Sequence, residues 1–142
     1  MNTINKKLSA VEYSCVYFIG AFGYSCLELL WRGYTHWTMA VTGGACFTII
    51  HFVEKHLGHK KFWIKCAVGA ACITAIEFLV GCIVNRILKW GVWSYADRPG
   101  NLLGQICPLF AVIWFVLCVP LFPFCKQLHR FFVTHFDKPH KA

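Results

Sequence analysis

Four apolar runs divide the chain, at residues 10–31, 37–53, 62–84 and 102–124. A bilayer core about 30 Å thick takes about 20 residues of helix, each rising about 1.5 Å, so three runs fit comfortably and the second is short. Trp37 at one end of the second run and a Lys/His cluster at the other suit interfacial anchors, and on that ground it is read as spanning too. The pattern predicts an all-α integral membrane bundle of four transmembrane helices in one membrane domain over residues 1–142, with a basic amphipathic tail at 125–142.

Polar residues that interrupt these runs are the chemical clue. A charged side chain near the bilayer centre costs about 2.5–3.5 kcal/mol even on lenient insertion scales, so Glu28 and Glu77 need a partner or a task. Thr74, Glu77, Gly81 and Asn85 fall on one helical face, and Tyr24, Ser25, Glu28 and Arg32 form a similar stripe on the first run. Gly20 and Gly23 lie beside that stripe and would let another helix approach closely. The second run brings Thr42, Gly43 and Gly44 to the same depth, and the fourth brings Asn101, Gly104 and Gln105. The expected geometry is a shared outer-half pocket lined by Glu28, Arg32, Thr42, Glu77, Asn85, Asn101 and Gln105, with Trp93 and Tyr95 as cover. Bland readings stand beside it. Glu28 and Arg32 have the favourable acid-first i, i+4 order of a helical ion pair, and Glu77 could hydrogen-bond Thr or Asn neighbours simply to lock the bundle.

Composition agrees with a membrane protein: 58% hydrophobic and 14% charged residues, against about 25% charged in soluble domains. The net charge of +8 does not imply nucleic acid. With both termini cytoplasmic, 10 Lys/Arg fall inside and 4 outside, the positive-inside bias, and basic rims of this kind meet anionic headgroups. Lys6 and Lys7 before an apolar run resemble a signal peptide, but the run is longer than an h-region, so retention is expected. The nine cysteines form no C-x-x-C pair and read as small apolar residues. His51, Glu54, His56 and His59 do not match H-E-x-x-H and adjoin Lys60 and Lys61, so they read as a headgroup-facing rim rather than a metal site. No ATP-binding motif, nucleophile elbow or dinucleotide fingerprint is present. No catalytic residue, metal ligand or cofactor is assigned.

Two segments break the simple pattern. The 85–101 stretch mixes aromatic and turn residues, as a functional loop or an interfacial aromatic belt would. Pro108, Pro120 and Pro123 predict a kinked or broken fourth helix, followed by a tail that either lies on the membrane surface or frays. Glu28 with Gly43–Gly44 and Glu77 with Gly104 form a weak echo between the halves, at unequal spacing.

The stretches Gly23-Tyr-Ser-Cys-Leu-Glu28-Leu-Leu-Trp31-Arg32-Gly33, Thr74-Ala-Ile-Glu77-Phe, Trp93-Ser-Tyr95 and Asn101-Leu-Leu-Gly104-Gln105 together resemble the small bacterial membrane proteins called ABC-transporter type IV, or CmpB-like. The likeness runs from about Gly20 to Trp114. It implies a multi-helix membrane bundle, and transport by its label alone. The family's usual Trp-Asp-Tyr reads Trp93-Ser94-Tyr95 in this chain, so one outer-loop carboxylate is missing.

The expected function is that of a multi-pass protein of the bacterial inner membrane whose outer-half pocket binds, or helps transport, a small polar or amphipathic molecule or a lipid headgroup. Glu28 and Glu77 would meet a cationic or hydrogen-bonding group, Arg32 would balance charge, and Asn85, Asn101 and Gln105 would orient the ligand. The expected partners are membrane lipids, the ligand, and a second copy or another subunit. A membrane-embedded lipid-modifying enzyme and a structural or regulatory subunit are the alternatives.

Overall fold

A computed structural model describes residues 3–136, without the side chains of residues 3–8. Lys6 and Lys7 therefore have no described side chain, and Lys138, Lys141 and the rest of residues 137–142 lie outside the described residues. The protein is all-helical: α1 (Thr3–Arg32), α2 (Trp37–Leu57), α3 (Phe62–Gly81) and α4 (Pro108–Phe136), with α3 continuing into a π-helical turn, Cys82–Ile87.

Local chemistry sets the boundaries. Gly33, at φ +76°, ends α1 in the left-handed conformation that glycine tolerates best. The His36 imidazole caps α2 by accepting from the Thr38 N–H. Pro108 opens α4, the helical position where its missing N–H costs least.

Among the described residues three helices, at Ser9–Arg32, Phe62–Ile87 and Pro108–Phe136, are long and apolar enough to cross a membrane. That corrects the expectation of four such spans. With 21 residues α2 has the length, but Thr38, Thr42, Gly43, Gly44, His51 and Glu54 dilute its apolar content, and all six are buried. The reason is its place. α2 packs against α1, α3 and α4, whereas α1 meets α4 only sparsely, so its polar groups face protein rather than lipid. Phe18, Phe22, Leu30, Val112 and Val116 point outward from α1 and α4, an apolar exterior costly in water and ordinary in a bilayer.

Small residues bring α1 and α2 together. A Cβ on Gly20 would sit 2.8 Å from the Gly43 carbonyl oxygen, so the two backbones touch. Gly23, expected to serve likewise, faces nothing within 4 Å. The main core gathers Val16, Phe47, Ile50, Cys66, Ile73, Cys118 and Phe122. All nine cysteines are free thiols, four of them buried.

The fourth helix differs from expectation at both ends. Residues 102–107 belong to the loop, where Leu103 and Gly104 adopt positive φ and Leu102 bridges to Ile106. Pro120 and Pro123 lie inside one uninterrupted helix that runs on to Phe136, so the described part of the tail is not a separate element. Proline is tolerated in membrane helices where neighbouring groups satisfy the released backbone carbonyls.

Candidate functional site

The polar residues at the loop end of the bundle build two adjoining cavities. The larger, about 470 Å³, is bordered by Glu28, Arg32, Trp93 and Tyr95, with Asp97 and Arg98. The smaller, about 230 Å³, is bordered by Thr42 and Glu77 within walls of Ile19, Leu27, Phe47, Ile73, Leu121 and Phe124. They share Tyr24, Leu27, Met39, Trp114 and Leu117. Both lie in the cleft between α1 and α4, where exposed lining residues such as Ile19, Leu27, Ile113 and Phe124 leave the side open. Glu28 and Glu77 thus border neighbouring cavities instead of one shared pocket.

Glu28 is held from two directions. Its Oε1 lies 2.7 Å from Arg32 Nη2, and its Oε2 accepts a 2.6 Å hydrogen bond from Thr35 Oγ1. Arg32 also donates through Nη1 to the Val92 carbonyl at 2.9 Å, tying α1 to the loop. The Nη2 contact is close but off the line of a hydrogen bond, so Nε and Nη2 are buried donors with no hydrogen-bond partner among the described residues.

Glu77, 4% exposed, has neutral partners. Tyr95 OH donates to its Oε1 at 2.8 Å, and Trp114 Nε1 donates to its Oε2 at 2.9 Å. The neighbours expected to lock it do not: Thr74 Oγ1 is buried without a hydrogen-bond partner among the described residues, and Asn85 turns toward the loop. Burial, reinforced by the Glu77 carboxylate, holds the Tyr95 phenol above its ordinary range, so it remains a donor. Thr42 Oγ1 donates back to its own helix at Thr38 O, 2.7 Å away.

Asn85, Asn101 and Gln105 border neither cavity. They shape the 88–107 loop instead. Asn85 sits in the π-helical turn, donates to Gln105 Oε1 at 2.9 Å and accepts from Val92 N at 2.7 Å. Gln105 donates to Leu103 O at 3.0 Å, and Asn101 accepts from Gly104 N at 3.0 Å. Trp93 Nε1 closes the set on Gln105 O at 3.1 Å. Gly81 makes room for it, because a Cβ there would lie 2.6 Å from Gln105 Oε1.

A second polar cluster occupies the opposite end, where α1 begins and α4 ends. His51 Nε2 and His129 Nδ1 each lie 2.7 Å from the same oxygen, Glu12 Oε1. Lys55 Nζ donates to Glu12 Oε2 at 3.3 Å. Nearby, Lys65 and Glu54 form a buried 2.6 Å ion pair. Sequence reasoning missed this cluster. It grouped His51 with Glu54, His56 and His59, but Glu54 goes to Lys65, and His56 is exposed, stacked on Phe52 and bonded to its own helix. One signal was present, since Glu12 lies inside the first apolar run and incurs the same membrane cost as Glu28.

The sequence profile of the family described as Putative ABC-transporter type IV matches residues 3–141. No curated protein matches this chain, and no solved structure does.

Proposed function

The chain belongs to the putative ABC-transporter type IV family, a membrane transport-related family, and from that premise we propose that its α1/α4 cleft binds an amphipathic molecule drawn sideways from the bilayer. The observation that carries this reading is the adjoining pair of cavities, one apolar and one with polar groups at its border. An acyl or isoprenoid chain would occupy the smaller cavity, where the polar atoms of Glu77 and Thr42 are already engaged. The head would occupy the larger cavity beside Arg32, whose Nε is buried with no hydrogen-bond partner among the described residues and whose Nη2 has only the Glu28 carboxylate, 2.7 Å away. Buried guanidinium donors call for an oxygen-rich group, so a phosphate or carboxylate head fits best. Trp93 and Tyr95 would cover it, and Asn85, Asn101 and Gln105 would act indirectly by shaping the loop that carries them. The loop end would face outward from a bacterial inner membrane and the opposite end the cytoplasm, as the basic residues favour.

Lipid mass spectrometry on detergent-purified protein tests this. Wild type should retain an anionic amphipath. Arg32→Gln should lose most of it, while Arg86→Gln, an exposed arginine at the same end, should not. Equal retention by all three proteins would remove the basis for a head-group site.

One observation favours a partner subunit or a second copy as well. A shallow depression of about 430 Å³ lies over α3 and α4, lined by Ala70, Ala71, Thr74, Ala75 and Ala111 among others. Thr74 borders it, its hydroxyl buried with no hydrogen-bond partner among the described residues, and membrane helices dock on such small-residue surfaces. Ala75→Trp should shift the cross-linked species toward monomer; an unchanged pattern would discard this docking surface.

A further inference from the structure

We propose that Glu12, His51 and His129 form a binding site for a divalent transition-metal ion, clipping α1, α2 and α4 together at the end opposite the loop. Their ligand atoms all lie within 4.8 Å of one another. Two imidazole nitrogens and a carboxylate form a borderline donor set, suited to zinc, cobalt or nickel rather than calcium or magnesium. Three protein ligands leave a tetrahedral ion one further position, for water or another ligand.

The set is held in place before any ion arrives. His51 is fully buried, with Tyr13 edge-on at 5.5 Å. Lys55 binds Glu12 through Oε2, which leaves Oε1 turned toward both imidazoles. The His129 side chain is 39% exposed, so the cluster opens to the outside of the bundle. His51 Nδ1 is buried without a hydrogen-bond partner among the described residues. The partner of the distal nitrogen normally fixes a histidine tautomer. With none on Nδ1, the proton can move there and leave the Nε2 lone pair for the metal. An ion between the ligands then takes the place of the two N–H donors that meet Glu12 Oε1.

Lys55 sets the affinity. Its ammonium repels a cation through the shared carboxylate, so removing that charge should tighten binding, a response that a purely hydrogen-bonded clamp would not give. The site stands independently of any ligand in the cleft.

The experiment uses the full chain purified without a histidine tag, stripped with chelator and titrated with Co²⁺ and then Zn²⁺. Wild type should develop the visible absorption of tetrahedral cobalt at one ion per chain, and zinc should bleach it. His51→Gln and His129→Gln should each weaken binding more than about tenfold, a change of about 1.4 kcal/mol. Lys55→Met should strengthen it, and the double variant His56→Ala/His59→Ala should leave it unchanged. A wild type with no cobalt spectrum, or a spectrum that survives loss of both His51 and His129, would overturn the assignment whatever the stability of the variants.

Discussion

The two ends of the bundle handle buried carboxylates in opposite ways. At the loop end Glu77 receives two neutral donors, Tyr95 and Trp114, and Glu28 pairs with Arg32, whose Nε has no hydrogen-bond partner among the described residues. Both acids border cavities. At the other end Glu12 collects two imidazoles and a lysine, and neither cleft cavity reaches it. The contrast separates a region built around space from one built around closure. Where room remains beside the Glu28–Arg32 pair, the proposed ligand would have space to enter. Where donors crowd a single carboxylate, they tie helices together, and α1 and α4 meet at few other places.

The largest effect should come from breaking the closed end. Glu12→Ala strands Lys55 and two imidazoles around a void, and because Lys55 and His129 are partly exposed the loss falls below the figure of about 3–5 kcal/mol for a fully buried ion pair. Thermal unfolding in detergent should show a large loss of stability together with greater protease sensitivity of α4 near His129. A loss no larger than that at Glu77 would collapse the distinction between the two ends.

At the loop end the corresponding change should be milder, because the partners are neutral. Glu77→Gln can still accept from Trp114 Nε1 and can donate to the Tyr95 oxygen, so two bonds to a carboxylate become two neutral ones, a loss of about 1–3 kcal/mol over the pair. The local readout is the Trp114 emission, taken as the difference between each protein and its Trp114→Phe counterpart because the chain holds six tryptophans. A variant as stable as wild type, with its tryptophan emission unmoved, would indicate that these two bonds do not hold the loop.

This contrast was only partly legible beforehand. Helix positions followed from hydropathy because a membrane span must be apolar over most of its length. α2 and α3 start at Trp37 and Phe62, the first residues of two apolar runs. α4 does not start with its run, because the run begins at Leu102 while Gly104 and Pro108 hold the first six residues in a turn. The count of spans failed at α2, which hides its polar face inside the bundle, a placement that hydropathy does not encode. At the site, the Glu28–Arg32 pair was readable from its local spacing. The partners of Glu77 lie 18 and 37 residues away, and His129 lies 117 residues from Glu12. Nothing local marks Trp114 as an indole that donates a bond rather than one that merely packs.

Tyr95→Phe should have a smaller effect, about 0.5–1.5 kcal/mol for one lost hydrogen bond, and a characteristic pH dependence. The folded protein holds the Tyr95 phenol above the ordinary value of about 10. Its contribution is therefore fully present below pH about 10 and is lost as pH rises toward the raised folded value, because the unfolded chain gives up the proton first. Wild-type and Tyr95→Phe stabilities should differ by a constant amount between pH 6 and 9 and converge above about 10. A difference that instead grows with alkalinity would place the phenol proton elsewhere.

The smallest change in stability should accompany a large change in binding, which makes Gly23→Leu the sharpest probe of the open region. Gly23 borders the smaller cavity, and a Cβ there meets nothing within 4 Å, so the new side chain enters the void without displacing a neighbour. Replacing a helical glycine removes backbone freedom from the unfolded chain and should stabilise by about 0.5–1 kcal/mol. The same leucine occupies the space proposed for the apolar chain, so lipid retention should fall about tenfold or more while the melting temperature holds or rises. Gly20→Leu, one turn away, provides the contrast: it forces α1 off the Gly43 backbone and should destabilise the fold, since overpacking typically costs about 1–3 kcal/mol. Unaltered lipid retention in a fully folded Gly23→Leu protein would show the cavity to be a packing defect, and the distinction between an open and a closed end would then carry no functional meaning.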